Sequence, residues 1–289
     1  MDGRKLGKWR GSAPFPPGYT PELDMTPELS STLAAYYQSQ IGILRWMVEL
    51  GHVDIIMELS LLSFHMALPQ EGHLDTVFNV FSYLKANHNS RMAFDPMYPE
   101  IDMSSFKEHE WINFYGEVEE AVPPNAPEAR GKEVDICLYV DSDHANNKLT
   151  QRSRTGYFVF LNMAPIMWLS KKQATIETSV FGAEFVAMKH GMEAVRGLRY
   201  KLRMMGVPLS GPSYFYGDNM SVIHNTQHPE STLKNKSNSV CYHAIREAVA
   251  MGECLTGHVR SHNNPANLAI KVIGGGQKRD HLAQWSSMI

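Results

Sequence analysis

Hydrophobic positions between Leu33 and Leu84 recur three and four residues apart. Leu33, Tyr36, Tyr37, Leu44, Met47 and Val48 form one set, Ile55, Leu59, Leu62 and Met66 a second, and Leu74, Val77, Phe78, Phe81 and Leu84 a third. That period predicts three amphipathic helices with breaks near Gly51 and at Pro69. Residues 1–30 are rich in proline, glycine and threonine without a period and read as a disordered N-terminal segment. A small all-α segment is therefore expected over residues 31–116, followed by a charged, proline-bearing linker over 117–133. From Val134 the period falls to two. Val134–Val140 (VDICLYV) predicts a strand ending on Asp141 and Asp143, and Gly156–Leu161 with Ala164–Leu169 predicts a hairpin turning at Asn162 and Met163. A long helix runs from Ser179 to about Met205 and closes at Gly206 and Pro208. A strand at Ser213–Gly217 then leads into Asp218. A short helix from Met220, a helix over 238–251, a strand over 255–260 and a helical segment over 265–272 complete the pattern. The fold class is α/β, a mixed five-stranded sheet flanked by helices over 134–280, with a tail at 281–289.

Length and composition fit this division. A chain of 289 residues that is 43% hydrophobic can bury one large core or two modest ones, and the change of period favours two. No run of eighteen apolar residues exists to span a membrane, and the polar, glycine- and proline-rich start does not read as a signal peptide. The expectation is an intracellular protein, cytoplasmic or nuclear, with no membrane partner. Cys137, Cys241 and Cys254 have neither zinc-site spacing nor an even number, so they are expected to be reduced.

The net charge of −3 conceals an asymmetry. Residues 1–133 carry 10 basic and 19 acidic side chains, net −9, whereas residues 134–289 carry 17 and 11, net +6. The second half is the candidate nucleic-acid binder, because phosphate neutralisation supplies most non-specific affinity. Lys171, Lys172, Arg196, Arg199, Arg203, Lys234 and Lys236 are candidates to line a backbone-binding groove, the three arginines recurring at helical spacing. A solvated helix face would have the same pattern.

Three acids stand where the predicted fold can gather them: Asp141 at the end of the first strand, Glu184 in the long helix, and Asp218 after the fourth strand. Convergent carboxylates repel unless a cation neutralises them, and Mg²⁺, with Mn²⁺ able to substitute, is the hard ion for such a site. Two ions roughly 4 Å apart activate water and stabilise the leaving oxygen of a phosphodiester. Spacing alone leaves open the alternative of two turn aspartates and a surface glutamate. No His-Glu-x-x-His or comparable spacing supports a zinc hydrolase.

The order of motifs narrows the choice. Asp-x-Asp at Asp141 to Asp143, Arg152-Ser-Arg-Thr-Gly-Tyr157, Ser170-Lys-Lys-Gln173, Ala183-Glu-Phe185 and Asp218-Asn219 follow one another over roughly 130 residues. This set resembles the ribonuclease H domain of copia-type retrotransposon Pol polyproteins. The resemblance implies a ribonuclease H-like sheet, Asp141, Glu184 and Asp218 as metal-binding catalytic acids, and an RNA/DNA hybrid as substrate, with a separate reverse transcriptase chain as a compatible partner. Asn219 would then lie near the scissile bond, and His262 resembles the mobile loop histidine used near product release. The stretches Tyr36–Met47, His52–Ile55 and His73–Lys85 are similar to the thumb and connection that follow the polymerase palm. No Tyr-x-Asp-Asp palm motif occurs in this sequence.

Two segments depart from the family pattern. The last helix usually supplies a fourth acid in Ala-Asp-x-x-Thr-Lys, where this chain has Ala266-Asn267-Leu268-Ala269-Ile270-Lys271. Asn267 remains a potential metal ligand without charge. His52-Val53 likewise stands in place of Arg-Pro. Intact acids favour a working ribonuclease H; Asn267 and Ile270 favour the alternative of a catalytically inactive remnant or co-opted nucleic-acid-binding protein.

Overall fold

The computed structural model describes residues 13–88, 92–233 and 236–274. Among these, one compact unit extends to Ala93 and includes Asn147–Gln151 and the chain from Leu268, while a second comprises Phe94–Asn146 and Arg152–Asn267.

The first unit is built on α1 (Ser31–Glu49), α2 (Ile56–Leu62) and α3 (Glu71–Ala86), matching the three hydrophobic sets. Ser30 caps α1, and Gly51, at φ +114°, makes the break after it. Their apolar faces bury Tyr37, Leu44, Leu62, Leu74, Val77 and Val80. The Tyr37 hydroxyl donates to the Leu62 carbonyl at 2.7 Å, and the Tyr83 hydroxyl donates to the buried Asp54 at 2.6 Å. The described part of residues 1–30 is more ordered than its composition suggests. Phe15 and Pro21 are buried, and His73 bonds the Pro21 carbonyl through Nε2 at 2.9 Å. One aromatic and one proline ring are enough to anchor a segment that has no period.

In the second unit β1 (Ile136–Asp143), β2 (Arg154–Leu161), β3 (Ala164–Lys172), β4 (Ser213–Gly217) and β5 (Cys254–His258) form one sheet in the order β3-β2-β1-β4-β5. The first three strands are antiparallel, and β4 and β5 join in parallel. This is the mixed, helix-flanked five-stranded sheet that the sequence pattern predicts. The hairpin turns at Asn162 and Met163 as expected, with Asn162 at φ +54°, a conformation asparagine tolerates. β1 starts later and runs further than its alternation indicates, because Asp141 and Asp143 pair with Gly156 and Arg154 and stay in the ladder.

Four helices follow from α4 (Ile112–Tyr115): α5 (Val180–Met204), α6 (Met220–Gln227), α7 (Ser239–Ala250) and the short α8 (Asn267–Ile270). α5 lies on β1 and β2 at close range. A Cβ on Gly191 would stand 2.7 Å from a Leu138 methyl, so glycine there sets the approach. Phe106 covers the aromatic row of Tyr214 and Tyr216, with ring centroids at 5.1 and 5.2 Å, and lies against Gly257. Trp111 is buried and faces the Arg246 guanidinium at 4.8 Å.

The division between units therefore falls at Ala93, upstream of the linker expected at 117–133. Residues 94–116 hold to the sheet unit through Phe106 and Trp111. Glu120, within the supposed linker, is fastened to α5 by Arg199 and Arg203.

Candidate metal centre

Three elements deliver one carboxylate each to the same end of the sheet. Asp141 lies in β1 opposite Gly156. Glu184 occupies the second turn of α5, whose start is fixed by Ser179 accepting from the Gly182 amide at 3.1 Å. Asp218 follows the last residue of β4. Each offers an oxygen within 4.8 Å of the other two, and among the described residues no other group of three potential ligands does so. Asp141 and Glu184 are 2% and 6% exposed, while Asp218 is half-buried.

Two unit charges at that separation repel by roughly 3.5 kcal/mol at an effective dielectric of about 20. Burial, then Asp141 and Asp218, push the Glu184 carboxyl well above the usual range, against the opposing hydroxyl and amide of Ser142. The Ser142 amide donates to Asp141 at 2.8 Å. The donor set is all oxygen and acidic, so it suits a hard divalent cation.

The surroundings hold this geometry. Gln173, 1% exposed, donates to the Thr155 hydroxyl at 3.1 Å and to the Ala183 carbonyl at 2.9 Å, tying the end of β3 to the residue before Glu184. Asn264 donates to the Val140 carbonyl at 2.9 Å, one residue before Asp141. The Ser-Lys-Lys-Gln motif points to Gln173 but not to this positioning role. Nothing in the sequence marks Asn264.

The other candidate residues separate. Lys171 and Lys172 lie opposite Thr155 and Arg154, at the same sheet end as the acids. Lys171 is exposed, and Lys236 stands exposed in the turn before α7. Lys234 lies outside the described residues. His262 is exposed in the turn after β5. Asn219 has a structural task, accepting from the Ser221 and Val222 amides to cap α6.

The arginines of the helix face are each paired within the unit. Arg199 is 3% exposed and pairs with Glu120 at 2.6 Å while donating to the Gly211 carbonyl and the Ser213 hydroxyl. Arg203 shares Glu120, and Arg196 pairs with Glu253 at 2.7 Å. Acids from elsewhere in the unit therefore pair with all three.

Asn267 also has work of its own. It is buried, and its amide donates to the Ser261 carbonyl at 2.6 Å and the Asn264 carbonyl at 3.0 Å. An ionised aspartate at this position has no hydrogen to donate to either carbonyl.

The chain is similar in sequence to retrotransposon Pol polyproteins. It is 23% identical over 254 residues, 88% of its length, to the retrovirus-related Pol polyprotein from transposon RE1 of Arabidopsis thaliana. It is 29% identical over 144 residues to that of transposon RE2 of the same plant, and 29% over 136 residues to that of transposon TNT 1-94 of Nicotiana tabacum. The chain spans only 15% of the first relative and 10% of each of the others. No protein-family model matches. Among solved structures it is similar to LC11-RNase H1 in complex with an RNA/DNA hybrid, at 14% identity and a TM-score of 0.38, covering 47% of this chain and 94% of that one. It is also similar to RNase H1 from Halobacterium salinarum, at 12% identity and a TM-score of 0.34, covering 46% and 90%.

Proposed function

We propose that the sheet unit is a metal-dependent ribonuclease H that hydrolyses the RNA strand of an RNA/DNA hybrid. The observation that carries this reading is the convergence of Asp141, Glu184 and Asp218 within 4.8 Å, at the positions that match the motifs of the Pol ribonuclease H. The three carboxylates would hold Mg²⁺ or Mn²⁺, which supplies an activated water and stabilises the leaving oxygen of the phosphodiester. Asp141, Glu184 and Asp218 provide the charge that retains the cations. Gln173 and Ser142 orient the acids, and Lys171 and Lys172 offer positive charge to the hybrid backbone at the same sheet end. His262, exposed beyond β5, is the candidate for product release. The helical segment of α1 to α3 is read as a thumb- or connection-like element, compatible with a separate reverse transcriptase chain. The reading goes with the nuclear or cytoplasmic setting expected from the sequence.

A second reading has its own observation. The position of the expected fourth acid is an amide committed to two backbone carbonyls, which favours a scaffold that binds hybrid without cutting it.

Incubating the full chain with labelled RNA/DNA hybrid in Mg²⁺ and in Mn²⁺, beside Asp141→Asn, tests the choice. Cleavage of the RNA strand by the parent that disappears in Asp141→Asn supports the ribonuclease. Hybrid binding without cleavage by the parent supports the second reading, and cleavage surviving in Asp141→Asn removes the metal assignment.

A further inference from the structure

We propose that His109, His224 and His228 form a binding site for a borderline transition-metal ion such as Zn²⁺, separate from the carboxylate cluster. His224 lies on α6 and His228 follows four residues later, its amide closing the last turn on the His224 carbonyl at 3.1 Å. Both rings therefore stand on one face, with centroids 4.3 Å apart and planes inclined by 40°. His109, from the segment before α4, adds a third ring 4.9 Å from His228 at 52°.

These separations can be compared with what a shared ion requires. A nitrogen about 2.0–2.1 Å from Zn²⁺ in tetrahedral geometry puts neighbouring ring centroids roughly 5 Å apart. The two pairs in ring contact, both through His228, lie within about 1 Å of that spacing. The nitrogens have not converged, since only the three acids bring three ligand atoms within 4.8 Å among the described residues. Closing the site requires side-chain rotation, and these rings have room for it: His109 and His224 are exposed and His228 is half-buried.

Among the described residues the three rings leave their nitrogens open, as His190, His258 and His262 also do, whereas other histidines are engaged. His73, His144 and His243 each engage a ring nitrogen with a carbonyl, an amide or a hydroxyl. Among the described residues no ring nitrogen of His109, His224 or His228 makes such a bond, so all remain available as ligands. Burial, together with the neighbouring His224, His109 and Lys107, lowers the proton affinity of His228 and favours its neutral, ligating form. The two sites then differ in chemical preference. Imidazoles without a carboxylate suit Zn²⁺, Co²⁺ or Ni²⁺, whereas the all-carboxylate cluster suits Mg²⁺ or Mn²⁺. Zinc would bridge the segment anchored by Phe106 and Trp111 to α6, which starts two residues after Asp218.

The test is thermal unfolding of the full chain titrated with Zn²⁺ in excess Mg²⁺, beside His228→Ala, His224→Ala and Asp141→Asn. The expected result is a saturable rise in Tm whose midpoint moves to more than about 100-fold higher Zn²⁺ in either histidine variant, beyond the roughly 10–100-fold that loss of an outer-shell partner costs, and stays put in Asp141→Asn. Metal-free Tm shows whether each variant folds, and the exposed His224→Ala keeps the test open if His228→Ala does not. No response to Zn²⁺, a response equal in parent and histidine variants, or one lost only in Asp141→Asn overturns the proposal.

Discussion

The two ends of α5 handle charge in opposite ways. Near its start Glu184, almost fully buried, faces two further carboxylates, and burial, then their repulsion, drives its proton affinity up. Near its end Arg196, Arg199 and Arg203 each meet a carboxylate of the same unit, Glu253 or Glu120, and the two arginine partners hold Glu120 down at about 2. Folding alone satisfies the second arrangement. The first is costly until a cation arrives, so it is the end where chemistry is expected. Charge clustering on a helix is thus not itself a sign of function; what matters is whether the fold supplies the opposite charge.

The comparison breaks most visibly at Arg199. Arg199→Ala leaves Glu120 with a partner lost in a mostly buried setting and should cost about 3–5 kcal/mol of stability. Hybrid affinity of the molecules that remain folded should not change. Denaturant unfolding with a hybrid-binding titration checks both, and a variant of normal stability but weakened binding would restore the arginine to the substrate surface. Asp141→Asn should do the reverse. Cleavage should fall by on the order of 10²–10³-fold, the scale of removing one preorganised electrostatic partner. Metal-free stability should be unchanged or higher, because one like charge has left the cluster. A large loss of stability in Asp141→Asn would mean that the acid is structural.

Asn267→Asp probes the acid end more gently. The substitution removes two donated hydrogen bonds in a buried turn and brings a carboxylate to the Ser261 and Asn264 carbonyls. Each carbonyl keeps its backbone donor, the Asn264 and Asn267 amides at 3.2 Å, but losing the side-chain donors and setting a carboxylate against the two oxygens should cost about 1–3 kcal/mol, lowering the metal-free Tm by several degrees. A Tm equal to the parent's would show that the amide is not holding the turn.

The same contrast explains what the sequence disclosed. Asp141, Glu184 and Asp218 were legible because each closes or follows a periodic element and belongs to a recognisable motif order. The hairpin was legible because Asn162 marks its turn. The arginine spacing correctly gives one helix face, but the group opposite that face, Glu120, lies 79 and 83 positions away and no local pattern reveals it. Residues 94–116 escaped for a related reason: Phe106 and Trp111 act as single anchors on the sheet unit without a period. At Asn267 the change of residue is visible in the chain, but its acceptors are backbone carbonyls, which leave no trace in side-chain identity.

Acid should release the arginine end gradually, with the smallest effect of these perturbations. Burial alone would raise the Glu120 carboxyl, but hydrogen bonds and charge from Arg199 and Arg203 outweigh it and lower it from 4.5 to about 2. A carboxylate depressed in the folded state contributes stability that is fully present above its unfolded value and fades as pH falls toward the folded one. For Glu120 that window runs from 4.5 down to about 2. Glu120→Gln keeps the shape without the charge, so its Tm deficit against the parent should be constant above pH 5 and shrink steadily as the pH falls toward 2. Measuring both Tm values across that range isolates one ion-pair network from general acid unfolding, which affects parent and variant alike. A deficit that stays constant through the window would show that Glu120 contributes through packing and hydrogen bonds rather than charge, and the electrostatic contrast between the two ends of α5 would then rest on Glu184 alone.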